Sequence, residues 1–597
     1  MEEVIRFYKT RIDSFSNKGE ALKKTIYRLG TVRLLLVIAA LLTVWFCRNA
    51  DWMIWGAVLI VYAVPFSVLM AYHTKLFEQI EYADAMVVLN TNELKGTDYD
   101  FSAFDGAAES VDSHHSFSHD LDIFGQQTLF QSLNRIVTRP GKSHLIDWFT
   151  NPLDRKQAII SRQQAVMELA AKTYFRQHFY VTGKTTSTDS ECVEKLRILS
   201  SQTTRFSDSL YWKICIRAVP LLWIGVISGI FVGIIPFLGG WIMLAFAFLL
   251  ANIKFQQIQR LQQSVEKIER ILLTYSKLIE QIEQETFSSE LLQSNQNLLT
   301  SSEKRASTAI RQLSKMIGAF NQRTSLAGVL LNLLYLRDIH HTIQIERWVE
   351  TYAKDFDHWF EALACMDAMC SLGGFAFNHP DYPYPEIADS YFEMRGKALG
   401  HPLIHRDMCI RNDLSIIRKP YFLIITGANM AGKSTFLRTV GVNFMLACMG
   451  LPVCAESLTV YPAHLVTSLR TADSLTANES YFFAELKRLQ MIINRLNEGE
   501  ELFVLLDEIL KGTNSEDKRK GSLALMKQLI AKNTCGIIAT HDLLLGTLAD
   551  EFPEAIRNYR FEADITGDEL SFSYLLREGI AQNMNACFLM EKMGITV

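Results

Sequence analysis

The residues best suited to chemistry form one short stretch, Gly427 to Thr435, with two glycines and a lysine at fixed spacing. It fits the pattern GxxxxGK[ST], follows an apolar run (Tyr421 to Thr426) typical of a buried strand, and precedes a helical segment. In that setting, backbone N–H groups and the helix N-terminus hold the negative charge of a phosphate. The pattern predicts that ATP is bound by Gly427, Ala428, Asn429, Met430, Ala431, Gly432, Lys433, Ser434 and Thr435.

Two carboxylates follow a second apolar run. Residues 501–506 also indicate a buried strand, and the strand ends in Asp507 and Glu508. We expect Lys433 to contact the β- and γ-phosphates, and Ser434 and Asp507 to be the Mg²⁺ site, with Asp507 acting through water. Glu508 is then the residue that orients or deprotonates the attacking water. These roles require the two strands to be close neighbours in one sheet.

A third apolar run ends in a histidine. Gly536 to Ala539 is followed by Thr540, His541 and Asp542. A histidine at that strand end is suited to sensing the γ-phosphate, so we assign His541 to the catalytic group. A purely structural histidine is the alternative, which the sequence does not exclude.

Two long apolar stretches indicate a membrane protein. The first, Leu34 to Tyr72, is broken only by Arg48 to Asp51, and the second, Ala218 to Ile253, has 36 residues without a charge. Pro236 and two glycines interrupt the middle of the second stretch. Each predicts two apolar helices joined by a turn, because runs of this length are hard to bury in a soluble core. Buried core helices remain the alternative for both stretches, and a re-entrant hairpin is a third option for the second.

The distribution of basic residues predicts the orientation in the membrane. Eight lysines and arginines precede or border the first apolar run, whereas the turn after its first helix carries only Arg48. The positive-inside rule then places the N-terminus in the cytoplasm. A cleaved signal peptide is disfavoured, because thirty-three mostly polar residues come first. We expect a multi-pass protein of the inner or cell membrane, with residues 73–217 and 254–597 in the cytoplasm.

Composition excludes several classes of protein. The formal net charge is −4, which argues against coating nucleic acid by bulk charge. The ten cysteines form no CxxC pair, so a zinc site or a disulfide scaffold is not expected. Residues 96–120 contain six acidic residues and no lysine or arginine, which predicts a solvated linker or mobile loop. Residues 120–199 and 300–369 are predicted helical, and residues 254–289 are predicted to form one long amphipathic helix.

The ordered motifs resemble those of the MutS family of DNA mismatch-repair ATPases, within the ABC ATPase class. Residues 425–435 are similar to the family's ITGPNMGGKST, residues 507–515 to DEIGRGTST, and residues 539–541 to ATH. Residues 480–485 are similar to the family's signature segment, whose serine reaches the ATP of the other subunit. The resemblance implies ATP and Mg²⁺ as cofactors and a homodimer with two composite sites, in which Ser480 binds ATP in trans.

The resemblance continues more weakly upstream, from about residue 120, as a helical core and lever. It implies an all-α MutS-like core and lever and an α/β ABC-type P-loop ATPase domain, and the two apolar stretches add transmembrane α-hairpins to this multidomain fold. The expected parts are an N-terminal helix (1–30), a transmembrane hairpin (31–75), a helix with an acidic linker (76–119), the first part of the core (120–211), a transmembrane or re-entrant hairpin (212–253), the core and lever (254–384) and the ATPase domain (385–597).

The departures from the family pattern shape the functional hypotheses. No mismatch-reading N-terminal domain or DNA-gripping clamp is recognisable, and Tyr481, Leu510 and Lys511 differ from the usual motif residues. The leading hypothesis is a membrane-anchored, dimeric MutS-like ATPase that couples ATP turnover to conformational change, with mismatched or branched DNA as a candidate substrate. The alternative is a DNA-independent, ATP-driven membrane protein that performs ABC-like transport or partner remodelling.

Overall fold

A computed structural model of the chain describes residues 1–49, 51–184, 206–265, 268–300, 305–418, 420–428, 430–470, 481–511, 514–566 and 569–582. The protein is multidomain and predominantly helical, with mixed β-sheets. It divides into two compact units. The first comprises residues 1–134, 146–173 and 371–597, and the second comprises residues 135–145 and 174–370.

The helices and strands alternate only in the C-terminal third of the chain. The helices are α1 (Glu2–Phe46), α2 (Trp52–Gly96), α3 (Leu129–Leu133), α4 (Arg139–Thr150), α5 (Lys156–Ala171), α6 (Thr173–Lys184), α7 (Leu210–Phe231), α8 (Leu238–Asn252), α9 (Phe255–Val265), α10 (Glu269–Gln284), α11 (Glu290–Thr300), α12 (Ala306–Asn321), α13 (Leu326–Tyr335), α14 (Arg337–Tyr352), α15 (Phe356–Asn378), α16 (Lys433–Cys448), α17 (Tyr481–Asn497), α18 (Ser515–Ala531) and α19 (Leu548–Glu551). The strands are β1 (Glu386–Ile387), β2 (Met394–Leu399), β3 (Asn412–Ile416), β4 (Tyr421–Gly427), β5 (Ser457–Val460), β6 (His464–Ser468), β7 (Leu502–Asp507), β8 (Cys535–Thr540), β9 (Ile556–Phe561), β10 (Ala563–Thr566), β11 (Glu569–Phe572) and β12 (Arg577–Glu578).

The first unit begins with a hairpin of two 45-residue helices, α1 and α2. Each is about 68 Å long, more than twice the roughly 30 Å of a bilayer's hydrocarbon core. Near the turn, the hydroxyl groups of Thr43 and Tyr62 are 2.8 Å apart. At the far end, Tyr8 donates a hydrogen bond to Asn378 Oδ1 at 2.6 Å. The apolar run therefore forms the turn-side part of the hairpin, and polar helix continues beyond it.

Four helices among the described residues are long and apolar enough to cross a membrane, and their burial separates them into two groups. In α1 and α2, none of the most apolar segment is buried, and in α7 only 6% is buried. In α15 the corresponding share is 83%, so this helix belongs to the protein core. Helix α8 and the start of α9 form a pair bent by 54°.

The second unit is helical and combines amphipathic helices, such as α9, α10 and α12, with the apolar helices α7, α8 and α13. The predicted apolar stripe of residues 254–289 is buried at every position, which confirms that it forms core: Ile258, Leu261, Val265, Ile268, Leu272 and Ile279. The prediction of one helix over the whole range was wrong, because α10 ends at Gln284 and residues 285–289 are not helical, while residues 266–267 between α9 and α10 lie outside the described residues. The two-helix prediction for the second apolar stretch is confirmed by α7 and α8, although α7 begins eight residues before Ala218.

A six-stranded sheet in the first unit has the order β12-β9-β4-β8-β7-β6. All neighbouring pairs are parallel except β12 with β9. Every residue of β4, β7 and β8 is buried, as expected for central strands covered on both faces. The three strands predicted around the motifs are thus confirmed, and β8 lies between the other two.

The acidic segment of residues 96–120 is packed, contrary to the prediction of a solvated linker. Phe101, Phe104 and Phe117 are buried. The carboxylate of Asp120 accepts hydrogen bonds from Thr467 Oγ1 at 2.6 Å and from the backbone N–H groups of Leu469 and Arg470 at 3.1 and 3.0 Å. Burial of the aromatic side chains and the hydrogen bonds of one carboxylate therefore hold this segment against the protein despite its acidic composition.

Candidate functional site

The predicted site residues come together at one edge of the six-stranded sheet. In the register of the parallel strands, Thr426 pairs with Thr540 and Asp507 pairs with Ala539, so β4, β7 and β8 end at the same level. The loop after β4, the carboxylates after β7 and the histidine after β8 consequently face one another. This is the edge at which open parallel sheets bind ligands.

The loop after β4 holds the lysine side chain in a bent position. Lys433 Nζ donates hydrogen bonds of 2.8 Å to the carbonyl oxygens of Gly427 and Ala428, and it lies 3.3 Å from His541 Nε2. Burial lowers the pKa of Lys433 to about 8, although Asp507 and Glu508 act in the opposite direction. The amine therefore remains mostly charged at neutral pH but is poorly solvated.

The turn that precedes helix α16 depends on a glycine. Gly432 has a φ of 104°, which side-chain-bearing residues rarely adopt, and a Cβ atom there would lie 3.0 Å from the ring of Tyr574. Helix α16 starts at the next residue, so its first N–H groups open toward the loop. Asn429, also predicted to bind ATP, lies outside the described residues.

Ser434 and Asp507 form a pair of oxygen ligands. The hydroxyl of Ser434 donates a hydrogen bond to Asp507 Oδ2. Asp507 Oδ1 is buried and has no hydrogen-bond partner among the residues described, while burial raises the pKa of this carboxyl group. An orphaned carboxylate oxygen beside a hydroxyl fits a hard divalent cation, because Mg²⁺ prefers oxygen ligands.

The carboxylate of Glu508 is held by the side chains of His541 and Lys511. Its Oε1 lies 2.5 Å from His541 Nε2, and its Oε2 lies 3.4 Å from Lys511 Nζ. The hydrogen bond from His541 is the main reason that the pKa of Glu508 falls to about 2. The backbone of Glu508 has a φ of 49°, and its N–H donates to Ala539 O at 2.9 Å. The strand end thus presents an ionised carboxylate in a fixed orientation.

The signature segment contacts the loop after β7 through a buried glutamate. Glu485, in the first turns of α17, accepts hydrogen bonds from the backbone N–H groups of Leu510 and Lys511, the latter at 3.1 Å. Burial raises the pKa of Glu485. Ser480, predicted to act in trans, lies outside the described residues. Sequence analysis did not assign a role to Glu485, although its position at the end of the signature motif was visible.

A cavity of about 510 Å³ adjoins these groups. Its walls include Lys433, Ser434 and Glu508, together with four other predicted ATP ligands: Met430, Ala431, Gly432 and Thr435. Another part of the wall comes from residues 399–412 and from Tyr574, which sequence analysis missed. The Asn412 side chain joins these two parts, because it donates to Tyr574 O at 3.0 Å and accepts from Leu576 N at 2.7 Å.

The missed wall carried no usable sequence signal. Residues 400–411 have no regular structure and no recognisable motif, and they reach the cavity only because β2 and β3 pair on either side of them. His401 in this segment is partly exposed as a residue, but desolvation of its ring lowers its pKa to about 4 and keeps the imidazole neutral at pH 7. Most side chains of this wall are apolar, among them Leu399, Ile404 and Ile410, whereas the loop wall carries the Lys433 amine.

Comparison with known proteins matches two separate parts of the chain. The family model described as MutS domain III matches residues 114–373, and the one described as MutS domain V matches residues 423–594. The first range contains the α7–α8 hairpin, and the second contains the strand, loop and carboxylates of the site.

Proteins named DNA mismatch repair protein MutS are similar to this chain over part of its length. The one from Thermotoga maritima is 30% identical over 225 residues, which cover 37% of this chain and 28% of the relative. The one from Persephonella marina is 30% identical over 240 residues (39% and 27%), and the one from Aquifex pyrophilus is 32% identical over 203 residues (33% and 23%). The alignments thus span roughly a quarter of the length of these relatives.

The two family matches do not overlap, follow the order of domains III and V, and together cover more than half of the 597 residues. Together with the relatives of about 30% identity, these two matches show the family to which the chain belongs. The protein is a member of the MutS family.

Proposed function

We propose that the protein is a membrane-anchored ATPase that uses ATP binding and hydrolysis in a homodimer to drive a conformational change. The observation that carries this proposal is the cluster of Lys433, Ser434, Asp507, Glu508 and His541 at one sheet edge beside the cavity. Their order and spacing resemble those of an ABC-type P-loop ATPase domain, which supports the proposal. We assign residues 385–597 to that domain.

The cationic side of the site suits the phosphates of ATP. The Lys433 amine exchanges its two carbonyl acceptors for phosphate oxygens, and the N–H groups at the start of α16 add further donors. The apolar wall of residues 399–412 and Tyr574 is suited to the base and ribose. Gly427 to Thr435 hold the triphosphate between these two sides.

The oxygen ligands suit Mg²⁺. Ser434 and Asp507 would hold the ion, and the buried, unpartnered Asp507 Oδ1 is available for it or for its water. When bound, Mg²⁺ neutralises charge on the phosphates and helps to position them. Glu508 orients the attacking water and accepts its proton, and His541 holds the Glu508 carboxylate in place. Movement of His541 away from Glu508 toward the γ-phosphate would raise the basicity of the carboxylate.

Two further parts of the proposal rest on other observations. Family membership supports a homodimer, with Ser480 of one chain completing the ATP site of the other. The unburied apolar segments of α1, α2 and α7 support membrane anchoring. The basic residues before the first apolar run support a cytoplasmic N-terminus and a cytoplasmic ATPase domain.

Steady-state ATP hydrolysis by the detergent-purified chain tests the enzyme. We expect Lys433→Ala to abolish nucleotide binding, and Glu508→Gln to retain binding while turnover falls by about 10²- to 10⁴-fold. The matched control is Glu516→Gln on α18, where an exposed glutamate pairs with Lys520 away from the cavity. ATP turnover that both site variants leave unchanged would overturn the proposal.

The same assay separates two candidate functions. Homoduplex, mismatched and branched DNA are each added to the wild-type chain and to Lys433→Ala. Stimulation by one DNA form supports a DNA-handling MutS relative that works at a membrane. Turnover that is indifferent to DNA supports the alternative, ATP-driven transport or partner remodelling, which the net charge of −4 and the exposed apolar helices favour.

A further inference from the structure

Helix α13 is a short apolar helix whose side chains are largely uncovered. Its ten residues contain no charged group, and only Gly328 is buried. Leu326 is 82% exposed and Leu330 is 54% exposed, and three more aliphatic residues are exposed with them: Val329, Leu331 and Leu334. The helical prediction for residues 300–369 includes this helix, but its exposed apolar surface was not predicted, because ten residues are too few to suggest a membrane span.

The helix is attached to the second apolar hairpin. It packs against both α7 and α8. The indole N–H of Trp223, inside α7, donates a hydrogen bond to Leu333 O at 3.0 Å. The exposed apolar side chains of α13 therefore extend the exposed apolar surface of the hairpin, where Ile224, Ile227 and Leu249 are also uncovered.

Several polar groups at the ends of α13 are bonded within the protein, although Arg323 Nη1 and Asp338 Oδ1 are buried without a hydrogen-bond partner among the described residues. Ser325 caps the helix by accepting a hydrogen bond from Gly328 N at 3.0 Å. Asn332, its one strongly polar side chain, accepts from Asp338 N at 3.1 Å. Arg323 Nε, before the helix, lies 3.2 Å from Asp338 Oδ2, after it. Internal bonding of this kind is what a segment needs where water is scarce.

We propose that α13 is embedded in lipid, lying within one leaflet beside the α7–α8 hairpin. Its length of about 15 Å is half the roughly 30 Å of the hydrocarbon core, so it cannot span the bilayer. Continuity with the hairpin and the absence of a charged residue from 326 to 336 select lipid as the occupant. This inference rests on the membrane anchoring proposed above.

The position of α13 gives it a mechanical role. The chain runs directly from α12 through α13 into α14, and α12 and α14 pack against each other in the helical bundle of the second unit. A lipid-embedded α13 thus ties the bundle to the bilayer at a point separate in sequence from α7 and α8. Any ATP-driven rearrangement of α12 and α14 would also have to move this helix or the lipid around it.

Photolabelling of the wild-type full chain tests the inference. The protein is reconstituted into phosphatidylcholine vesicles with a lipid-soluble aryl diazirine, irradiated and mapped by peptide mass spectrometry. We expect labelling of residues 326–335 several-fold above that of α15. Helix α15 is the matched control, because it is also long and apolar but 83% of its apolar segment is buried.

The outcomes distinguish failure of this inference from failure of the membrane proposal. If α2 and α7 are labelled while α13 stays at the level of α15, the inference is wrong. A cross-link from α13 to a second copy of the chain would then show that α13 is covered by the dimer interface. If none of α1, α2, α7 and α8 is labelled, the membrane anchoring itself is wrong. Labelling of α13 together with α7 and α8 supports both.

Discussion

Lys433 and Glu508 have shifted pKa values for different reasons. Burial acts against the charged form of Lys433 and lowers its pKa to about 8. The hydrogen bond from His541 favours the charged form of Glu508 and lowers its pKa to about 2. Both side chains are therefore mostly ionised at neutral pH, and the lysine is the one whose charge is lost within an accessible range.

The first prediction concerns the pH dependence of nucleotide binding. As the pH rises through about 8, the Lys433 amine loses its proton and its attraction for phosphate. A bound triphosphate favours the charged amine, so binding at about pH 9 takes up a proton. Titration calorimetry with a non-hydrolysable ATP analogue, in two buffers of different ionisation enthalpy, measures this uptake.

The control is Lys433→Arg, whose guanidinium stays charged throughout this range. We expect the arginine variant to bind without proton uptake at about pH 9, even if its affinity is lower. A wild-type affinity that stays constant across the same pH range, with no buffer dependence, contradicts the assignment of Lys433 as the phosphate-binding cation.

At the scale of single residues, a role can be predicted from sequence where it depends on the spacing of residues close together in the chain. The loop from Gly427 to Thr435 and the pair Asp507 and Glu508 were recognisable because a buried strand precedes each of them. His401 and Tyr574 were not recognisable, because they reach the cavity through pairing of β2 with β3 and through the bonds of Asn412. Long-range pairing of this kind leaves no periodic pattern in the chain.

At the scale of elements, two buried carboxylates join segments that are distant in sequence. Asp120 bonds the acidic segment to the end of β6, and Glu485 bonds α17 to the loop after β7. Composition alone misled us about the acidic segment, because charge content says nothing about which aromatic residues become buried. The helical core of residues 254–289 was predictable from its apolar stripe, whereas the end of α10 at Gln284 was not.

The second prediction concerns Asp120. In Asp120→Ala, two backbone N–H groups and the Thr467 hydroxyl lose their acceptor, and each buried unpaired group costs about 1–3 kcal/mol. We expect the acidic segment to detach, so that chymotrypsin cleaves at Phe101, Phe104 or Phe117 well before it cleaves the wild type. Asp98→Ala, at an exposed aspartate, is the control and should match the wild type. Equal cleavage rates in both variants would contradict the anchoring role.

The third prediction concerns Glu485. In Glu485→Ala, the N–H groups of Leu510 and Lys511 lose their acceptor, and the loop that carries Glu508 becomes less ordered. Because the Lys433 loop is untouched, we expect kcat for ATP hydrolysis to fall at least tenfold, the effect of about 1.4 kcal/mol, while KM changes little. Glu498→Ala, an exposed residue just after α17, is the control. A change confined to KM would show that Glu485 acts on binding instead.

At the scale of the whole molecule, the exposed apolar surface and the basic N-terminal residues together set the expected topology. The turn between α1 and α2 contains Cys47, which is partly exposed, and only one basic residue, Arg48. Eight basic residues lie on the other side of the apolar run. If the protein is anchored as proposed, the positive-inside rule predicts Cys47 on the outer face of the membrane and the site around Lys433 on the cytoplasmic face.

The final prediction uses Cys47 as a native reporter of this topology. A membrane-impermeant maleimide added to right-side-out vesicles should label Cys47, whereas in inverted vesicles it should label this residue only after the membrane is permeabilised. Cys47→Ser removes the signal, and the buried Cys448 supplies an internal control that stays unlabelled in folded protein of either orientation. Labelling of Cys47 in inverted vesicles alone would reverse the topology and would place the ATP site outside the cytoplasm. Since ATP is available only inside the cell, that outcome would also contradict the proposed ATPase activity. The orientation of the α1–α2 hairpin therefore tests the function proposed for the whole chain.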